Sequence, residues 1–236
     1  MAHQHEALAA LLSTNAQWAK DVARAEPGFF EKSAKGQAPL VGPFLIANDP
    51  NAKNPEQTLW IGCADSRVPE TVITGARPGE IFVHRNIANQ FPIDDVSGVA
   101  VLTYAVDFLG VQHVVVVGHS ECGGAAACLG AVQDPSFSEY GPIATISKLP
   151  PSDPLNRWLE PLTRHAASLN LSNTPKAQAL PIIVDENVKR QVENLSKTRT
   201  LVNAWAANKK VWVHGWVYDL ATGRLRDLNV TKGPAA

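Results

Sequence analysis

The sequence predicts an α/β protein: a central, mostly parallel β-sheet with an antiparallel edge strand, flanked by helices, with an N-terminal helical arm packing on a dimer partner. Three observations lead there. Beyond Thr58 short apolar runs of strand length alternate with segments of helical period, the last run is followed by a hairpin-like turn, and the first 36 residues carry an apolar helical face. The whole chain, 1–236, reads as a single domain, divided into an arm (1–36), a loop insertion (38–57) and an α/β core (58–236).

In the arm, Leu8, Leu11 and Leu12 recur at helical spacing, and Asn15, Trp18 and Val22 continue the face until Pro27 interrupts it; Phe29 and Phe30 follow in a second short turn. A large apolar face on a terminal arm must be buried, on its own domain or on a partner subunit. Residues 38–57 hold Pro39, Gly42, Pro43, Pro50 and Pro55 among several Asn, a composition that opposes regular structure. Thr58–Cys63, Ile81–His84, His113–His119 and Val211–Val217 read as strands. Gly98–Leu109 reads as a helix with Val99, Leu102, Val106 and Leu109 on one face and Gly110 as its stop, and a second long helix runs from about Asp185 to Asn208. Between them, residues 134–181 are rich in Pro, with one helical patch at Trp158–Leu169. The turn Asp219–Gly223 then leads into an antiparallel edge, Leu225–Val230.

Composition narrows the function. Of the 236 residues, 21 Lys and Arg balance 22 Asp and Glu for a formal charge of −1, and the basic residues form no cluster longer than pairs such as Lys209-Lys210. A protein that tracks nucleic-acid phosphates needs such clusters, so that partner is excluded. No apolar run reaches the roughly 18–20 residues that span a bilayer. The three cysteines, Cys63, Cys122 and Cys128, cannot all pair, which points to a reducing compartment and to Cys used for metal, catalysis or packing. With Glu6, Asp21, Glu26 and Glu31 in the leading segment, a mitochondrial address fits less well than a cytoplasmic one.

Two strands end in polar clusters, Cys63-Ala64-Asp65-Ser66-Arg67 and His119-Ser120-Glu121-Cys122-Gly123-Gly124. Carboxyl ends of parallel strands are where open α/β sheets bind ligands. His119 and Cys122, spaced H-x-x-C, can chelate one ion from a single turn, and Cys63 would complete a Cys2His set. Soft thiolate and imidazole donors suit zinc, and three protein ligands leave the fourth tetrahedral position for water. Asp65 and Arg67, two residues apart beyond a strand end, can pair in bidentate fashion within reach of Cys63. Cys128 reads as a core residue.

CADSRVPE, then PGEIFVHRNIAN, then VVVVGHSECGG together resemble the β-class carbonic anhydrases, plant-like type, over residues 58–130 strongly and over the flanking elements more loosely. The resemblance implies a zinc-dependent reversible hydration of CO2 to bicarbonate and a proton by attack of zinc-bound hydroxide, in a homodimer or tetramer of dimers. It implies one Zn2+ per chain on Cys63, His119 and Cys122, a catalytic pair in Asp65 and Arg67, and a substrate pocket lined by Gln37, Phe82, Tyr104 and Gly123. Two departures stand out: Ala64 occupies a position where Ser is frequent, and about a dozen extra residues separate Gly-Gln-Ala-Pro from the first zinc strand. With two thiolates on the metal, its water should ionise at a more alkaline pH than on three histidines. Two rivals keep the metal site: a CS2 hydrolase on the same scaffold, and a non-catalytic zinc-binding protein, which would need a fourth protein ligand. A thiol-redox protein would need a Cys63–Cys122 disulfide. His84, His113, His165 and His214 are all available as proton shuttles, none marked by its context.

Overall fold

The computed structural model describes residues 6–34 and 58–234, with side chains from residue 11. It divides into two compact units, Met1–Ala38 and Pro39–Ala236. In the first, helix α1 (Glu6–Ala25) and a short helix α2 (Phe29–Ala34) meet through Trp18 and Phe30, whose rings lie edge to face with centroids 5.6 Å apart. Leu11, Leu12 and Trp18 remain 66%, 72% and 42% exposed, so α1 keeps an uncovered apolar face.

The second unit is built on a five-stranded sheet in the order β2-β1-β3-β4-β5. Strands β1 (Thr58–Cys63), β2 (Ile81–Asn86), β3 (His113–His119) and β4 (Trp212–Asp219) run parallel, and β5 (Arg224–Lys232) closes the edge antiparallel to β4. All six residues of β1 are buried, as expected of a strand covered on both faces. On one face Leu59, Ile61, Val114, Val116 and Val213 join the main core; on the other, Trp60, Val115 and Val117 pack with Trp216 and Ile81. This alternation is the period of two that a strand imposes on its side chains.

Helices α3 (Glu70–Thr74), α4 (Val96–Thr103), α5 (Gly123–Val132), α6 (Pro154–Ser168), α7 (Lys176–Ser196) and α8 (Arg199–Ala206) complete the unit. The predicted helix at 98–109 starts two residues earlier because the Asp95 carboxylate accepts from the N–H groups of Ser97 and Gly98. It ends in a wider π turn, Tyr104–Phe108, in which Leu109 N–H donates to Tyr104 O. The predicted helix at 185–208 proves to be two. Thr198 breaks it by capping Leu201 N–H, and α7 begins nine residues ahead of the predicted start, just past Pro175. Pro181 lies inside α7 on its exposed side, so the lost N–H leaves no buried carbonyl stranded. The short helix α3 lay below the resolution of a periodicity argument.

Helix α7 lies directly across β3. A Cβ on Gly118 would stand 2.7 Å from Val188 Cγ2 and 3.3 Å from Val184 Cγ1, so only glycine lets the helix approach the strand this closely. That contact is one residue before His119, at the end of the sheet where the polar clusters gather.

Candidate metal centre

Parallel register brings the two clusters together. Gly62 of β1 aligns with Val117 of β3, so Cys63 and His119 leave neighbouring strands at the same end of the sheet. Cys122 follows across a tight turn that needs Glu121 in the left-handed region, at φ 53°, before α5 begins. The ligand atoms of Cys63, His119 and Cys122 all lie within 4.8 Å of one another, and all three residues are buried.

The donor set fits a metal. The Nδ1 of His119 lies 2.9 Å from Ser120 O, an oxygen that can only accept, so Nδ1 carries the proton and Nε2 presents its lone pair to the triad. That Nε2 is buried with no hydrogen-bond partner among the described residues, which an apolar interior tolerates poorly unless an ion takes the lone pair. A hydrogen bond from the Cys122 thiol, outweighing the opposing effect of burial, holds Cys63 well below the ordinary thiol range; His119 and the amides of Asp65 and Ala88 act in the same direction. The same bond to Cys63, together with burial, pushes Cys122 up. Burial disfavours the His119 imidazolium, but the neighbouring Cys63 sulfur outweighs it and raises the histidine above its usual value. All three groups therefore compete for a shared positive charge, the role a cation fills.

Beside the triad, Arg67 grips Asp65 with two prongs: Nε donates to Oδ1 at 2.9 Å and Nη2 to Oδ2 at 2.6 Å, while the Arg67 backbone N–H adds a third bond to Oδ1. The guanidinium hydrogen bonds hold the Asp65 carboxyl well below the usual carboxylate range. Arg67 Nη2 also reaches Glu121 O at 3.2 Å, tying the first cluster to the second. Asp65 Oδ2 stands 3.9 Å from His119 Nε2, so the carboxylate borders the triad without entering it.

A residue the sequence reading passed over completes the frame. Arg85, on β2, donates from Nε to Cys63 O at 2.8 Å and from Nη2 to Asp65 O at 2.5 Å, with Glu70 as its counter-ion at 3.8 Å. An arginine on a strand flanking the cysteine strand was the available signal.

The predicted pocket residues separate. Gly123 opens α5 beside Cys122, with nothing within 4 Å of where a Cβ would project. Phe82 and Tyr104 find each other, centroids 5.9 Å apart, and Tyr104 stacks on Phe108. Yet Phe82 aligns with Leu59, four positions short of Cys63, a distance of about 13 Å along the strand. Within one chain these rings do not flank the triad. Gln37 lies outside the described residues.

A parallel sheet that gathers a buried Cys2His set and a clamped carboxylate at its carboxyl end carries the donors that a water-activating metal site would use. Residues 58–225 match the carbonic anhydrase family. The carbonic anhydrase of Emericella nidulans is 34% identical over 224 residues, covering 93% of this chain and 82% of that protein, and the Candida albicans enzyme is 36% identical over 180 residues, 73% of this chain and 56% of that one. A tetrameric β-carbonic anhydrase from Sordaria macrospora superposes with a TM-score of 0.75 at 36% identity, covering 96% of this chain and 98% of that one. The Coccomyxa β-carbonic anhydrase in complex with acetazolamide gives 0.77 at 30% identity, covering 96% and 88%. The chain belongs to the β-carbonic anhydrases, and the reaction it catalyses is the reversible hydration of CO2 to bicarbonate.

Proposed function

We propose that the enzyme holds one zinc ion per chain on Cys63, His119 and Cys122 and that Asp65 and Arg67 direct its chemistry. The observation that carries this reading is the buried triad, three donor atoms within 4.8 Å, standing beside a carboxylate that a guanidinium holds out of it. When bound there, zinc supplies a Lewis acid that lowers the pKa of its water and so provides a nucleophile near neutral to alkaline pH. Asp65 Oδ2 accepts the hydrogen bond of the attacking water and so orients its lone pair toward the carbon of CO2. Arg67 holds Asp65 back from the open side of the triad. The backbone N–H of Gly123, a first-turn donor of α5 with no intrahelical acceptor, stabilises charge as it develops on the substrate oxygens, with Gln37 as a second donor. Among the described residues the group comprises three ligands and no fourth, which speaks against a purely structural zinc.

Metal analysis should give one zinc per chain, and a chelator should abolish CO2 hydration until zinc is restored. A fully active metal-free protein would refute the reading. Parallel assays with CS2 should show no turnover.

We further propose a homodimer or tetramer of dimers in which the Phe82–Tyr104 pair serves a neighbouring subunit's site. Tyr104, Phe108 and Val96 are 46%, 75% and 82% exposed, an apolar surface around α4 that a second copy would cover. The Sordaria macrospora relative is itself tetrameric. A cytoplasmic location is supported by Cys63, Cys122 and Cys128 all being free. No helix among the described residues is long and apolar enough to cross a membrane.

A further inference from the structure

The turn after β2 is strained, and none of the roles above uses the strain. Ala88 and Asn89 both adopt left-handed backbone conformations, φ 61° and 44°, at 0% and 2% exposure. For non-glycine residues each such conformation costs roughly 1–3 kcal/mol and persists only where the surroundings enforce it. The turn is wedged between the two cysteine-bearing segments. Asn86 O accepts from Ala64 N–H at 2.8 Å, one residue past Cys63. On the other side, a Cβ on Gly124 would stand 3.0 Å from Ala88 Cβ and 3.3 Å from Ile87 Cγ2, two residues past Cys122.

Side chains from α6 and α7 enforce the strain. Asn187 Nδ2 donates to Ala88 O at 2.8 Å, Phe91 N–H donates to Gln191 Oε1 at 2.9 Å, and Trp158 Nε1 donates to Ile87 O at 2.9 Å. Asn187 and Gln191 are 2% and 3% exposed and joined to each other, Gln191 Nε2 donating to Asn187 Oδ1 at 2.8 Å. Two buried amides on a helix otherwise packed by Ile183, Val184, Val188 and Val192 are a departure from an apolar core that hydrogen bonding must offset.

We propose that Asn187 is a positioning residue for the metal centre: by gripping the Ala88 carbonyl from α7 it fixes the strained turn that is wedged between the Cys63 and Cys122 segments and so holds the two cysteines at their spacing. The inference rests on Cys63 being a metal ligand and extends that reading to the groups behind it. A turn released from that grip can relax away from its strained conformation and let the two cysteine-bearing segments shift, and loss of such outer support weakens metal binding.

The test is Asn187→Asp, which keeps the acceptor for Gln191 and loses the donor to Ala88, read in cobalt(II)-substituted protein and by zinc competition against a chelator. The expected result is a thiolate-to-cobalt charge-transfer band displaced from its wild-type position and zinc affinity lower by about 10–100-fold. Asn156→Asp is the control: Asn156, 0% exposed, donates to the Ile146, Leu149 and Pro150 carbonyls and bonds neither the strained turn nor a cysteine segment, and its loss should lower Tm without moving the band. An Asn187→Asp protein with the wild-type band and affinity overturns the proposal, whatever its Tm. Should that variant fail to fold, Gln191→Glu, which loses only the bond to Asn187 Oδ1, is read the same way, and an unmoved band there overturns it equally. Wild-type protein that binds neither cobalt nor zinc would sink the metal reading itself, whereas metal binding indifferent to Asn187 would sink the positioning role alone.

Discussion

In the function proposed above, Arg67 is a solvent-exposed side chain that matters without contributing stability. Its side chain is 52% exposed, and an ion pair in that setting contributes little to folding, yet under that proposal its two-pronged grip keeps Asp65 from turning onto the triad. Arg67→Ala should therefore retain one zinc per chain and fold normally while kcat for CO2 hydration falls by about 10–100-fold; stopped-flow assays beside metal analysis check it. Cys128 marks the opposite case. It is fully buried, and burial pushes its thiol up to about 12, so it should resist iodoacetamide at pH 8 in the native protein and react only after denaturation, as mass spectrometry would show. That Cys63, His119 and Cys122 converge and that Asp65 pairs with Arg67 was legible in the sequence, because donor clusters and bidentate pairs demand particular residue types at particular spacings. Arg85 and Asn187 were not. An arginine in a strand and an asparagine in a helix fit many roles, and only the fold shows that one grips the backbone at Cys63 and the other the turn at Ala88.

At the scale of elements, the strands were read closely because burial on both faces leaves an unbroken apolar run, as in β1 and β3. Helix ends were read less well. The start of α7 hid behind two prolines, and the break before α8 depends on one Thr198 hydroxyl that accepts a hydrogen bond from Leu201 N–H. Where β3 meets α7 there is no spare volume: Gly118→Ala would force its new methyl onto Val188 and Val184. The expected loss is about 1–3 kcal/mol in urea unfolding, with zinc binding weakened because His119 is the next residue. The edge strand β5, by contrast, is largely exposed, and substitutions on its outer side should stay within about 0.5 kcal/mol.

For the whole molecule, acid sensitivity follows from the groups whose shifts are downward. Burial lowers His84 and His165, and hydrogen bonds lower Asp65, Asp134, Glu193 and Asp219. A group whose folded pKa is depressed contributes stability above its unfolded value and loses it as pH falls through the folded one. Tm should decline from about pH 6.5, where unfolded histidines begin to charge, and more steeply below about pH 4, where unfolded carboxylates protonate; calorimetry across that range checks it. An apolar arm announces a need for cover without naming what supplies it, so the assembly proposed above needs its own test. Phe108→Glu should break the assembly in light scattering and reduce kcat with it, while a monomer of full activity would refute the shared pocket. The three candidate metal donors come from two stretches of chain with β2 and α4 between them. An ion seated there stitches distant parts of the polypeptide into one closed loop, so scarcity of zinc would threaten the persistence of the folded protein as well as its turnover.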